Sequence, residues 1–202
     1  MHLNYSIETN YDGQALYFRE AVADYLSSWC KANNIDLYAD GLKIYTTVDS
    51  RMQQYAEDAV DRQMRVVQRN FNNHWGTQAP WRDRNGKEIP NFIEDLAKRT
   101  VNYKLLSERF PNRPDSINYY MNLPHRLKVF DYDKGFRDTT ISTMDSIRYM
   151  EHFMHCGFVA MEPQTGYIKA WVGDINFGAW KYDKVLSKRQ PGSTFKLFVY
   201  TA

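Results

Sequence analysis

The sequence lacks an excess of charge of either sign. Its 202 residues include 26 Lys and Arg against 24 Asp and Glu, which gives a net charge of +2. The basic residues are also scattered along the chain. Proteins that bind nucleic acids or anionic membranes usually concentrate basic residues on one face. The composition therefore argues against a nucleic-acid partner, and none is predicted.

Long apolar runs are absent as well. The longest, Phe158–Met161 and Leu197–Tyr200, contain four residues each, whereas a membrane-spanning helix needs about 20. The first residues, Met1–Tyr5, have neither the basic nor the apolar region of a signal peptide. No membrane span or targeting segment is predicted within these residues.

Cysteine is scarce, and metal-ligand patterns are incomplete. Cys30 and Cys156 lie 126 positions apart, which fits neither a disulfide framework nor a zinc site, so two buried free thiols are predicted. His152 and His155 adjoin Cys156, but no second Cys/His pair completes four ligands. Asp131–Gly135 resembles the start of a calcium loop, yet its glycine comes one position early and the closing glutamate is missing, so we interpret it as a turn. No cofactor and no metal are predicted.

What is present is enough apolar material, 43% of residues, to build one ordinary domain or two small ones. Tyr17–Lys31 predicts an amphipathic helix that ends near Asn33. Its expected buried residues are Phe18, Val22, Tyr25, Leu26 and Trp29. Leu42–Val48 alternates and is rich in β-branched residues, which predicts a strand.

A second helix is predicted to follow this strand at once. Ser50 and Gln53 match a capping-box pattern at its start. An apolar stripe then continues for about five turns, through Met52, Tyr55, Ala56, Ala59, Met64, Val67 and Phe71.

Residues 72–142 contain five prolines and no sustained periodicity, so loops and short helices are expected. Trp75 and Trp81 could form a platform for sugar rings, but aromatic residues in irregular segments more often anchor loops to a core. We expect the anchoring role.

Regular patterns return near the C-terminal end of the sequence. Residues 144–155 have helical periodicity. Phe158–Glu162 and Tyr167–Val172, joined by a Pro-Gln-Thr-Gly segment, predict a β-hairpin. After a polar connection, Pro191-Gly192 is expected to open a buried helix over Phe195–Ala202.

Candidate chemistry lies at the start of this last helix. Ser193 and Lys196 are three residues apart, so their side chains emerge on nearly the same face, about 5–6 Å apart at Cβ. A serine hydroxyl becomes a nucleophile when a base takes its proton, and a lysine can do so once burial lowers its pKa. A second such pair, Ser28 and Lys31, ends an amphipathic helix without a Pro-Gly entry, so we assign it to the solvated surface.

Around Ser193 the chain closely resembles the active-site segment of penicillin-binding protein transpeptidases. The resemblance rests on Arg189–Lys196 (RQPGSTFK) and the following Leu197–Tyr200. In that family, a strand ending in Pro-x-Thr-Gly, here Pro163–Gly166, leads to a segment like Ile168–Gly173 and then to the active-site serine. One small departure is Gly173-Asp174, where the family commonly has Gly-Gly.

A third matching segment indicates which class of penicillin-binding protein the sequence resembles. Gly41–Asp49 (GLKIYTTVD), with Gln53 or Gln54 and Ala56-Glu57, looks like the linker that follows the glycosyltransferase domain in class A, bifunctional members. Tyr17-Phe18 fits the tail that leads into it. The resemblance covers roughly residues 15–64 and 150–202, whereas residues 72–142 match no motif of the family.

The resemblance implies an α+β fold, namely the N-terminal part of a penicillin-binding transpeptidase (serine β-lactamase-like) domain with an incomplete sheet, preceded by a strand–helix linker or pedestal. It implies a tail over residues 1–40, a linker region with an irregular insertion over 41–150, and transpeptidase sequence over 151–202. Family members also need a Ser-x-Asn triplet and a Lys-Thr-Gly strand downstream of the active-site lysine. Because the chain ends six residues after Lys196, we expect a fragment without activity of its own.

By the same resemblance, the complete protein is a peptidoglycan synthase in which Ser193 attacks the D-Ala-D-Ala end of a stem peptide and Lys196 accepts its proton. Stem peptides and β-lactams are its expected ligands, with cell-wall synthesis proteins as possible partners. Its expected location is the periplasmic face of the bacterial inner membrane, anchored by a segment upstream of this sequence.

Two alternatives remain. One is a noncatalytic pedestal that orients domains or binds proteins through residues 72–142. The other is a hydrolase of the β-lactamase type, against which the linker match at Gly41–Asp49 argues.

Overall fold

The computed structural model describes residues 13–201, which combine helices with two small sheets. The predicted mixture of helix and strand is confirmed at this level. The described chain divides into two compact units, unit 1 with residues 13–61 and 155–201 and unit 2 with residues 62–154. Met1–Tyr5, which carry no targeting signal, and Ala202, the end of the predicted last helix, lie outside the described residues.

Within residues 13–201 the α-helices are α1 (Leu16–Ala32), α2 (Ser50–Trp75), α3 (Phe92–Ala97), α4 (Val101–Arg109), α5 (Pro114–Asn122), α6 (Thr143–Met150) and α7 (Lys196–Thr201). A 3₁₀ helix, Gly192–Phe195, directly precedes α7. The strands form two antiparallel hairpins, β1 (His125–Asp131) with β2 (Gly135–Ile141), and β3 (Phe158–Met161) with β4 (Ile168–Val172). None of the helices in this range is both long and apolar enough to cross a membrane.

The first predicted helix is confirmed as α1, but its buried face differs from the predicted one. Tyr17 and Cys30 are its buried residues, whereas Tyr25 and Trp29 are exposed. Helical spacing identifies an amphipathic helix, but tertiary partners decide which side is covered. Tyr and Trp tolerate exposure because each carries a polar group.

The predicted strand over Leu42–Val48 is wrong, since residues 41–49 have no regular secondary structure. Near its end, Thr47 Oγ1 donates to the Ile168 carbonyl at 2.8 Å, so a side chain takes the place of a ladder bond. Tyr45 is 88% exposed. β-Propensity reports how well side chains fit a half-buried pleated surface, and this segment has no such surface to cover.

Helix α2 starts where it was predicted, but its cap is different. Asp49 Oδ1 accepts hydrogen bonds from the Met52 and Arg51 amides at 3.0 and 2.9 Å. Foremost through the Met52 bond, this capping holds the pKa of Asp49 below its usual range. The predicted capping box of Ser50 and Gln53 is therefore wrong, because Asp49 caps the helix and Gln53 is bonded elsewhere.

The buried stripe of α2 is also shifted from the predicted one. Its buried residues in the first five turns are Gln53, Ala56, Met64 and Gln68. Met52 and Tyr55, which the apolar pattern assigned to the stripe, are exposed. The pattern failed because two of the buried positions are glutamines.

Unit 2 has its own apolar core. The fully buried members come from α3, α5 and α6 and are Ile93, Ala97, Ile117, Met121 and Met144. Trp81 packs against this core and stacks on Phe92 with ring centroids 5.4 Å apart. Its predicted role as an anchor of irregular sequence is confirmed.

The hairpin of β1 and β2 was missed by the sequence analysis, which expected only loops and short helices over residues 72–142. Val129 and Phe130 are buried, and Tyr149 Oη donates to the Phe130 carbonyl at 2.8 Å. The hairpin turn is the Asp131–Gly135 segment, where Asp131 Oδ1 accepts from the Asp133 amide at 2.9 Å. The turn interpretation of that segment is confirmed.

Helix α6 is shorter than predicted, ending at Met150 instead of near residue 155. The reason is Gln68 of α2, a buried residue whose side chain forms hydrogen bonds with backbone groups just after α6. Gln68 Nε2 donates to the His152 carbonyl, and Gln68 Oε1 accepts from the Met154 amide, both at 2.8 Å. These bonds compete with further helical bonding of residues 152–154.

Replacing Met121 with alanine should destabilise unit 2. Met121 is 2% exposed in the centre of its core, and truncation of a buried methionine typically costs about 2–5 kcal/mol through lost contacts and a residual cavity. The change in unfolding free energy can be measured by urea denaturation. Leu105→Ala, at an exposed position of α4, is the control and should have little effect. A loss below about 0.5 kcal/mol for Met121→Ala would contradict this core assignment.

Candidate active site

The predicted hairpin of residues 158–172 is confirmed as β3 and β4. Ala160 pairs with Ala170 and Phe158 with Val172, and the register shifts between Ala160 and Met161. In the turn, the Gly166 amide donates to the Glu162 carbonyl at 2.8 Å. Strand β4 is the more buried of the two, with Ala170, Trp171 and Val172 all buried.

The outer edge of β4 is closed by the start of α2. The Asp49 amide donates to the Lys169 carbonyl at 3.0 Å. At Trp171, two residues after Lys169 on β4, both backbone groups bond to Gln53. Gln53 Oε1 accepts from the Trp171 amide at 2.8 Å, and Gln53 Nε2 donates to the Trp171 carbonyl at 2.9 Å. Unpaired strand edges invite pairing with other chains, and here a helix covers the edge.

Glu57 joins this arrangement to the beginning of α1. Its Oε1 accepts from Gln53 Nε2 at 2.7 Å and from the backbone amide of Ala15 at 2.9 Å. Ala15 is the residue that precedes α1. A carboxylate at a helix N-terminus satisfies an otherwise unpaired amide and interacts favourably with the helix dipole.

Gly173 allows a close approach between the end of β4 and α1. A Cβ at this position would lie 2.4 Å from Cγ of Tyr17, far inside van der Waals contact. Tyr17 Oη donates to the Trp180 carbonyl at 2.6 Å. The ring is therefore enclosed, and its packing requires glycine at residue 173.

The connection after β4 is organised by Asp183. Its Oδ2 accepts from Trp171 Nε1 and its Oδ1 from the Val185 amide, both at 2.8 Å. Its carbonyl accepts from Ser187 Oγ at 3.1 Å. The segment that leads toward residue 193 is thus tied to the indole of β4.

Asp174 is the buried charge of unit 1, with a side chain that is fully inaccessible to solvent. Its carboxylate lies 2.9 and 3.1 Å from His155 Nδ1, accepts from the Ile175 amide at 2.8 Å, and lies 3.9 Å from Lys184 Nζ. A buried carboxylate requires such partners. The departure at Gly173-Asp174, which looked minor in the sequence, therefore places an ion-paired group inside the unit.

The turn that carries the predicted nucleophile begins at a left-handed backbone position. Gly192 has φ +56°, in the left-handed region that favours glycine. Ser193 lies in the 3₁₀ helix, and the Lys196 amide donates to the Ser193 carbonyl. The two candidate residues thus lie one turn apart.

The side chains around Ser193 and Lys196 are open to solvent. Residues 191–200 are all exposed, and Leu197 of α7 is 67% exposed. The helix predicted over Phe195–Ala202 is present as α7 (Lys196–Thr201), but its predicted burial is wrong, because the apolar side chains of α7 are exposed.

The surface assignment of the second Ser–Lys pair is confirmed, since Ser28 and Lys31 are exposed on α1. Cys30 and Cys156 are free thiols. Cys30 is buried as predicted, whereas Cys156 is only half-buried. Within residues 13–201, no group of three or more potential metal ligands is present.

The sequence analysis named Gln53 and Asp174 but did not predict the contacts that they make, and it did not single out Asp183. Each is a polar residue whose partners lie far away in the chain or in an irregular segment. Only Gln53 gave a signal in the sequence. A second glutamine, Gln68, also lies on the buried side of α2, so the repeat of glutamine could have indicated buried polar positions. The apolar pattern gives no weight to such a residue.

Alkaline pH should weaken unit 1 through Tyr17. Burial, and then the negative charges of Asp174 and Asp183, raise the pKa of its phenol well above the ordinary value of 10.0. The folded chain keeps this proton above pH 10 while the unfolded chain loses it, so the stabilisation is complete below pH 10 and declines above it.

The comparison with Tyr17→Phe isolates this effect because all other titrating groups are shared. Wild type should be more stable at pH 8 by about 0.5–1.5 kcal/mol, the usual contribution of one hydrogen bond. This advantage should shrink as the pH rises from 10 to 11, measured by urea unfolding. A constant advantage over that range would show that Tyr17 is not protected as described.

Comparisons with known proteins find penicillin-binding proteins. The model of the penicillin-binding protein middle domain matches residues 76–154. Penicillin-binding protein 1A of Neisseria flavescens is 26% identical over 96% of this chain and 27% of its own length. The same protein of Rickettsia prowazekii is 25% identical over 83% of this chain and 23% of its own length.

A third relative, penicillin-binding protein 1A of Neisseria lactamica, is 27% identical over 95% of this chain and 26% of its own length. No solved structure matches the chain significantly. The chain spans about a quarter of the length of these curated relatives. The matched middle domain includes residues 76–142, most of the stretch in which the sequence analysis found no family motif. Over most of its length the chain is therefore similar to penicillin-binding proteins of the 1A type, and over residues 76–154 it matches the middle domain of penicillin-binding proteins.

Proposed function

We propose that this chain carries the nucleophile segment of a serine D-Ala-D-Ala transpeptidase that cross-links peptidoglycan. The observation that carries the proposal is the placement of Ser193 and Lys196 on consecutive turns, directly after the left-handed Gly192 and downstream of the β3–β4 hairpin. Similarity to penicillin-binding proteins over most of the chain supports it. The fold proposed for residues 151–202 is the beginning of the transpeptidase domain, with residues 1–40 as tail and 41–150 as linker region.

In the proposed reaction, Ser193 Oγ attacks the carbonyl carbon between the two D-alanines of a stem peptide while Lys196 accepts the serine proton. The tetrahedral intermediate collapses, D-alanine takes a proton and leaves, and an acyl-enzyme ester remains. An amine of a neighbouring stem peptide then attacks the ester and frees the serine. A β-lactam acylates the same oxygen by opening its ring.

Backbone geometry supports the choice of Ser193. Residues in a first helical turn have amides without intrahelical partners. The Ser193 amide is therefore the proposed donor to the oxyanion that forms on the attacked carbonyl. The proposed site lies on the periplasmic face of the inner membrane, with the anchor outside this sequence.

A second candidate function is a noncatalytic module that orients domains or binds proteins of cell-wall synthesis. It is favoured by the match of residues 76–154 to the middle-domain model and by the separate core of unit 2. The reading frame after Ala202 discriminates the two. A Ser-x-Asn triplet and a Lys-Thr-Gly strand there support the enzyme, and their absence supports the module.

Ser193→Ala in the complete protein, meaning the gene product that contains residues 1–202, should abolish covalent labelling by penicillin. Only the oxygen of Ser193 is proposed to form the ester. Intact-mass measurement after incubation with a penicillin gives the result directly. Ser28→Ala, at the exposed pair on α1, is the control and should label as wild type. A covalent adduct on the Ser193→Ala protein would refute the assignment.

Lys196→Arg should also prevent acylation, although it preserves the positive charge. A guanidinium stays protonated at any usable pH and cannot accept the serine proton. The rate of labelling by a fluorescent penicillin measures the effect, with Lys31→Arg as the matched control. Acylation near the wild-type rate would show that Lys196 is not the base.

The 202-residue chain itself should not react with penicillin. The apolar side of α7 is exposed, as are Ser193 and Lys196, and a two-stranded hairpin is marginal as a support. Labelling of this chain should therefore be undetectable under conditions that fully label the complete protein. Stoichiometric labelling at a comparable rate would contradict the argument.

A further inference from the structure

Gln53 is a buried polar residue on a helix whose amide is almost fully bonded. It is 1% exposed. Both hydrogens of Nε2 are used, one toward the Trp171 carbonyl and one toward Glu57, and Oε1 accepts from the Trp171 amide. Because one side chain satisfies both backbone groups of one residue, Gln53 occupies the place of a peptide from a neighbouring strand.

The bonds of Gln53 identify which side of Trp171 faces α2. In an antiparallel pair, alternate residues direct both backbone groups away from the partner strand. Trp171 lies opposite Val159 of β3, and its amide and carbonyl point to Gln53 instead. Gln53 therefore holds β4 at its outer edge, at the fourth of the five residues of the strand.

The side chain of Trp171 links β4 to the connection that follows this strand. Its indole Nε1 donates to Asp183, and Asp183 in turn accepts from the Val185 amide and from Ser187 Oγ. Ser187 lies six residues before Ser193. A continuous set of hydrogen bonds thus runs from the first turns of α2 to the segment that enters the nucleophile turn.

We propose that Gln53 is a positioning residue for the Ser193 nucleophile, acting through Trp171 and Asp183. This inference rests on the proposed transpeptidase function. Gln53 touches no substrate in this scheme. It fixes the edge of β4, and the indole of that strand fixes residues 183–187, so the nucleophile turn starts from a defined position.

A purely stabilising role is the alternative, and the chain contains a matched control for it. Gln68 lies 15 residues further along α2 and makes the same pair of bonds to backbone groups, the His152 carbonyl and the Met154 amide. It is also buried, but it belongs to unit 2. Removing the side-chain amide of Gln68 therefore removes comparable hydrogen bonds but leaves those of β4 in place.

The experiment compares Gln53→Leu and Gln68→Leu in the complete protein. Stopped-flow measurements with a fluorescent penicillin separate reversible binding from the acylation rate constant, and thermal unfolding reports stability. Gln53→Leu should lower the acylation rate constant about 10- to 100-fold, since a displacement near 1 Å can cost about 100-fold in rate. Its dissociation constant for reversible binding should stay within about threefold of wild type, a difference too small to reflect a lost binding contact. Gln68→Leu should lower the melting temperature but leave the acylation rate constant unchanged.

Trp171→Phe provides a second variant that keeps an aromatic side chain and the backbone bonds to Gln53. It removes the indole donor to Asp183 together with part of the buried ring system. With thermal unfolding as the report on stability, it tests the link between Trp171 and Asp183 even where Gln53→Leu does not fold. Acylation several-fold slower than wild type is expected, by the same positional argument.

Three results would overturn the inference. Acylation at the wild-type rate by folded Gln53→Leu or by Trp171→Phe would remove the positioning role. Equal slowing by Gln53→Leu and Gln68→Leu would assign the effect to general destabilisation. Failure of the wild-type protein to form an adduct at Ser193 is a different outcome, because it rejects the proposed function and the positioning role together.

Discussion

Two hydrogen bonds between the amide of Gln53 and the backbone of Trp171 determine how unit 1 is held together. They attach α2 to the outer edge of β4, and Glu57 extends the attachment to the start of α1. β4 belongs to a two-stranded hairpin, which on its own is only marginally stable. The side chain of Gln53 supplies part of what a third strand would contribute. The apolar contacts of Ala56 with Ala170 and Val172 accompany these bonds.

The elements that follow from local sequence were predicted well. Helix α1, the start of α2 and the β3–β4 hairpin depend on spacing and turn residues within a short window, which a sequence displays directly. The strand over Leu42–Val48 was wrong because a strand needs a partner, and no pattern within those residues reveals whether one exists. The hairpin of β1 and β2 was missed although Asp131–Gly135 was identified as a turn. Its flanking strands carry charged residues that pair across the hairpin, such as Arg126 with Asp138, and this weakened the apolar alternation.

The candidate site likewise combines residues that local sequence predicts with residues whose contacts depend on distant parts of the chain. Ser193 and Lys196 were found from their spacing and from the preceding Pro-Gly, and whether they act as nucleophile and base stays a prediction. The supporting groups were not foreseeable, because Asp174 and Asp183 acquire their roles from residues in other elements. Burial of a carboxylate beside His155 depends on the tertiary structure. Such polar contacts specify one arrangement of the irregular connection, where no regular secondary structure does so.

The most direct test of this account is the exchange rate of the Trp171 amide hydrogen in the 202-residue chain, measured by NMR. An amide on the uncovered edge of a hairpin exchanges rapidly, whereas one bonded to a buried side chain opens only with the surrounding unit. The account predicts protection at Trp171 comparable to that of the amides bonded between β3 and β4, and loss of that protection in Gln53→Leu. Rapid exchange at Trp171 in the wild-type chain would contradict the claim that Gln53 closes the edge of β4.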